Sequence, residues 1–174
     1  MPQTLRATVG EFAEPLPLRF WALLLAVAVG GSCVYGGSLS LVLPTWNAGP
    51  AAAWLAVSAG LAWCVFIPSL CALLRLPLGV CFHVCLVAMG GGEVVLTSGA
   101  LVNVLLRMQH VTEYAVAINV GIVAVSNVVM AALLAVELHR RGVPMRRTFA
   151  AWMLILNGGG ALFFAALYRL LHGA

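Results

Sequence analysis

The chain has 174 residues, 63% hydrophobic and only 8% charged, with a mean hydropathy of +1.08. A soluble domain carries about 25% charged residues, so this composition excludes a water-facing globule and indicates one helical membrane domain. Every basic residue is Arg and every acidic residue is Glu, which excludes a lysine Schiff base, a P-loop, an aspartyl phosphate and a triad that uses Asp.

The fold class read from the sequence is all-α, a polytopic bundle of five transmembrane helices. Residues 1–19 form a polar leading segment with Arg6, Glu11, Glu14 and Arg19 and no signal-peptide core. Residues 20–171 form the membrane domain, with spans at about 20–43, 51–74, 79–106, 114–138 and 149–171, each of the length a bilayer requires. The apolar runs are continuous, whereas barrel strands alternate.

Span one carries Ala26, Gly30, Cys33, Gly37 and Ser40 at steps of four and three, one stripe of small residues widened by Gly31 and Gly36. Such stripes let helices approach closely in lipid, against their own bundle or against a partner. The cluster from Pro44 to Pro50 ends the span. Span two contains Pro68, expected to kink it, and Arg75 to Gly79 form a tight turn into span three.

Span three holds the stretch Ala88-Met89-Gly90-Gly91-Gly92-Glu93-Val94-Val95. Its length of about 28 residues corresponds to roughly 42 Å of helix, more than a hydrocarbon core of about 30 Å. The helix is therefore expected to tilt, protrude or break, with Gly90, Gly91 and Gly92 as the expected break. A carboxylate at that depth is a functional candidate by default. Glu93 has three readings: a protonated group bonded to Asn119, Asn127 or Asn157; a proton- or ion-handling residue; or a contact to a cofactor or partner subunit.

Span four begins after Thr112 and Glu113 and places Asn119, Ser126 and Asn127 on one face. That face serves interhelical hydrogen bonds or lines a polar path. Span five carries Asn157 before Gly158, Gly159 and Gly160. Arg6, Arg19, Arg75, Arg140, Arg141, Arg146 and Arg147 fall on one side of the five spans, and Arg107 and Arg169 on the other. The positive-inside rule then puts the N-terminus in the cytoplasm and the C-terminus outside. Arg140, Arg141, Arg146 and Arg147 are expected at lipid headgroups. The absence of Lys fits GC-rich coding, and the expected location is a bacterial inner membrane.

His83 and His139 lie near one rim, and His110 and His172 near the other. A haem held by His83 and His139 is an option; otherwise these are rim histidines, and the sequence requires no cofactor. His83 points away from the face shared by Cys81 and Cys85 by roughly 160–200° at about 100° per residue, so no metal set converges there. The five cysteines are read as small apolar residues, and no local pattern activates a nucleophile.

Five short-linked spans, the segment Val34-Tyr35-Gly36-Gly37-Ser38 in span one and Phe66-Ile67-Pro68-Ser69-Leu70 in span two resemble the Yip1-type five-helix membrane family in its small bacterial version. The resemblance covers about residues 20–171. It implies no enzymatic activity and a role as an adaptor or subunit that binds other membrane proteins. The expected function is thus a non-enzymatic accessory or scaffolding subunit of a larger membrane complex, such as a photosynthetic or respiratory one. Its expected partners are other membrane subunits and lipids, not nucleic acid. The alternatives are a small transporter or channel using Glu93 in a broken third helix, and a haem-binding electron carrier.

Overall fold

The structure is a computed structural model and describes residues 18–43 and 68–143, with positions 49, 65, 150, 153, 154 and 158. Among these residues the chain is all-helical. The long helices are α1 (Leu18–Leu39), α2 (Leu78–Met108) and α3 (Ala115–Arg140), and residues 68–74 are also helical. Most of spans two and five, with Asn157, Arg146 and Arg147, lies outside the described residues, as does most of the leading segment.

α2 is the central element and packs against both α1 and α3. Its 31 residues run unbroken through the three glycines, which corrects the expected break. The reason is packing. A Cβ on Gly91 would collide with Leu133, and one on Gly92 would stand 3.1 Å from Ser126 Oγ. The glycines admit α3 rather than interrupt the helix, and close approach offsets their propensity cost of about 1 kcal/mol each.

The ends of α2 and α3 share one cap. At α3, Gly142 takes a left-handed conformation (φ +67°), its N–H donates to His139 O, and Val143 N–H donates to Leu138 O. This is a Schellman motif, and Val143 packs on the core cluster that contains Leu138. At α2 the same bonds run from His110 to Arg107 and from Val111 to Leu106, with His110 itself at φ 56°. A histidine thus stands where glycine is usual. Arg75, also left-handed at φ 52°, turns the chain from residues 68–74 toward Pro77, the residue before α2.

One core cluster joins Leu70, Cys81, Val84, Cys85, Ala88, Leu134, Leu138 and Met153 at one end of the bundle. A second, smaller one joins Val42, Leu106 and Ala115 at the other. Tyr35, Leu39, Leu86, Met89 and Ala100 are buried outside these clusters, but much of the described apolar surface is exposed. α2 and α3 are each long and apolar enough to cross a membrane, yet only 11% of the apolar window of α3 is buried. Val116, Val120, Val123 and Val128 face outward. A surface this apolar is covered in its working state by lipid or protein.

Candidate functional site

The polar groups inside the bundle form two centres. The first lies toward the end of the bundle where α2 turns into α3. Asn103 and Asn119 face each other with reciprocal amide bonds: Asn119 Nδ2 donates to Asn103 Oδ1 at 2.8 Å, and Asn103 Nδ2 donates to Asn119 Oδ1 at 3.1 Å. Tyr35 of α1 adds its hydroxyl, which donates to Asn119 Oδ1 at 2.7 Å. Asn103 Nδ2 also donates to Ser38 Oγ, and Ser38 donates in turn to Tyr35 O at 2.6 Å. Asn119 Nδ2 closes the set on Ala115 O, one turn back in its own helix. One buried network therefore ties three helices with every amide group engaged, as an apolar interior requires.

Glu93 forms the second centre. It lies near the middle of α2, about 15 Å along the axis from Asn103 at 1.5 Å per residue, and is 6% exposed. Ser32 of α1 donates to its Oε1 at 2.7 Å. Its Oε2 is buried with no hydrogen-bond partner among the described residues. Gly31 makes this position possible, because a Cβ there would come within 2.6 Å of Oε2 and 3.0 Å of Thr97 Oγ1. On the α3 side of the same level, Ser126 donates to Gly92 O at 2.9 Å.

The expected residues are distributed as follows. Among the described residues Glu93 bonds Ser32 and neither Asn119 nor Asn127, while Asn157 lies outside them. Asn119 and Ser126 are buried against α2, while Asn127, beside them, is half-buried. The small-residue stripe of α1 is displaced round the helix: Gly30 and Gly37 have open space where a Cβ would stand, Cys33 and Ser40 are half-buried, and Ser40 donates to Gly37 O. The buried side of α1 runs through Gly31, Ser32, Tyr35, Gly36, Ser38 and Leu39, with Val42 buried just beyond its end. Gly90 is buried.

Cys81 and Cys85 are fully buried in the core cluster, with Cys71 packed against it. Among the described residues no group of three or more His, Cys, Asp or Glu could hold a metal ion. His83 is half-buried within electrostatic reach of Arg141 and Glu137, whereas His139 is exposed at the end of α3. Arg140 and Arg141 both approach Glu137, at 3.2 and 3.9 Å.

Thr97 and Ser98 are exposed, and each hydroxyl donates to a carbonyl of its own helix, at Glu93 and Val94. Each hydroxyl is thus satisfied within its own helix. Sequence reading did not single out Ser32, Tyr35 or Asn103. Asn103 carried the same signal as Asn119, an amide within an apolar span.

Comparison with protein families, characterised proteins and solved structures returns no match.

Proposed function

We propose that the chain is a non-enzymatic, multi-pass membrane protein that serves as a subunit of a larger membrane assembly, with its N-terminus cytoplasmic in a bacterial inner membrane. The observation that carries this reading is α3. It meets its own bundle along a narrow line through Ala115, Asn119, Ser126, Leu134 and Leu138 and presents a valine-rich face outward. β-branched side chains lose little rotamer freedom on packing, so a rigid valine face suits contact with another helix. The Yip1-type likeness agrees with such a role. The test is extraction from the native membrane in mild detergent. Other membrane subunits are expected to co-purify at fixed stoichiometry, and a chain that comes out alone overturns the reading.

One observation favours a second reading, a small transporter: the unpartnered carboxyl oxygen of Glu93 at mid-helix. Structural carboxyl groups in apolar interiors are paired, and an unpaired one has another use. In liposomes Glu93→Gln is expected to abolish transport, while a scaffold with that change assembles as before.

A further inference from the structure

We infer that Glu93 Oε2 is a proton-binding site that excludes metal cations. The inference deepens the transport reading, on which its functional meaning rests, by naming the species carried.

The geometry decides the ligand. Oε1 already accepts the Ser32 hydroxyl, so Oε2 is the oxygen left to bind anything. It is sealed from solvent and lies so close to Gly31 that even a methyl group there would overlap it. A hard cation needs about six oxygen ligands at about 2.0–2.6 Å. Around Oε2 the described structure offers the second carboxyl oxygen and the hydroxyls of Ser32 and Thr97, and the Thr97 hydroxyl already donates to Glu93 O. A proton needs no volume and no shell.

The charged surroundings do not compete. Glu93 forms no ion pair among the described residues. From α1 it is faced by Ser32, with Cys33 beside that residue and Tyr35 one turn on, its hydroxyl committed to Asn119. From α3 it is faced by Ser126, which donates to Gly92 O. Arg19, Arg75, Arg107, Glu137, Arg140 and Arg141 stand near helix ends or in turns, as does Glu113.

Thr97 flanks the same space beside Gly31 and belongs to an exposed part of α2. The step is a simple one. A hydronium ion gives its proton to Oε2, an O–H bond forms, water leaves, and the carboxylate becomes a neutral acid. No other bond changes.

The experiment is infrared difference spectroscopy of the full chain in mild detergent, stepped in pH. Glutamate labelled with ¹³C at the side-chain carboxyl identifies the band. The expected result is a carboxylic-acid C=O stretch that comes and goes reversibly with pH, shifts with the label and is lost in Glu93→Gln. In Ser32→Ala the band persists at higher frequency, because Oε1 has lost its donor. If no label-sensitive acid band responds to pH, or if Glu93→Gln retains the band, the inference is overturned. A band that answers to sodium or potassium at constant pH overturns it as well. Proton flux in liposomes is measured separately: a responsive band without flux upholds the proton site and removes the transport reading.

Discussion

Asn119 accepts from Tyr35 and Asn103 and donates to Asn103 and Ala115 O. Asn119→Ala removes all four bonds and leaves the Asn103 carbonyl and the Tyr35 hydroxyl without that partner. The expected loss is about 1–3 kcal/mol of stability, read from reversible unfolding in detergent. Tyr35→Phe removes one donor and costs less, about 0.6 kcal/mol, the average for a hydrogen bond between membrane helices. Equal losses would mean that the network stands or falls as a unit rather than bond by bond. At this scale the sequence made Glu93 and Asn119 legible, because polar atoms inside apolar runs are few. It did not reveal their partners. Ser32 and Tyr35 sit on a helix that is apolar nearly all round, and in lipid such a helix carries no pattern that separates its packed face from its open one. Spacing centred the stripe on Gly30 and Gly37 with Gly31 only at its margin, whereas contact runs through Gly31, one residue and about 100° from Gly30.

At the scale of the element, glycines differ by what stands opposite. A Cβ on Gly99 would meet Ile122 Cγ2 at 2.6 Å and Tyr35 Cε2 at 3.2 Å, while one on Gly121 would meet nothing. Gly99→Ala is expected to destabilise by about 1–3 kcal/mol through overpacking. Gly121→Ala is expected to stabilise by up to about 1 kcal/mol through helix propensity. Thermal unfolding of the two variants side by side gives opposite signs; a shared sign would refute the packing of α1 and α3 on α2. His110→Gly relieves a left-handed backbone at the end of α2 and is expected to raise stability by about 1 kcal/mol in the same assay. Helix length and apolarity were readable from composition. The continuity of α2 was not, because propensity counts three glycines as a weakness and only the neighbouring helix shows what fills the space.

At the scale of the molecule, arginines set the expected orientation. Residues 109–114 connect α2 to α3 at one end, and Arg140 and Arg141 close α3 at the other. In the proposed orientation, which follows the positive-inside rule, this basic end faces the cytoplasm. A single cysteine introduced at Glu113 in a cysteine-free background is expected to react with an impermeant thiol reagent added outside intact cells. One introduced at Arg140 is expected to react only after permeabilisation. The reverse pattern would invert the topology and would place the exposed Thr97 edge at a different depth relative to the cytoplasm.

The polar side of α1 also bears on how the chain is made. Ser32, Tyr35 and Ser38 bond to residues of α2 and α3, but α1 is synthesised first. Asn119 follows Tyr35 by about 80 residues, an interval on the order of 4–16 s at about 5–20 residues per second. Through that interval only Tyr35 lacks its interhelical acceptor, since Ser38 donates within α1 to Tyr35 O and Ser32 meets Glu93 sooner. The bonds that tie α1 to the bundle therefore become available in stages, first at Ser32 and then at Tyr35.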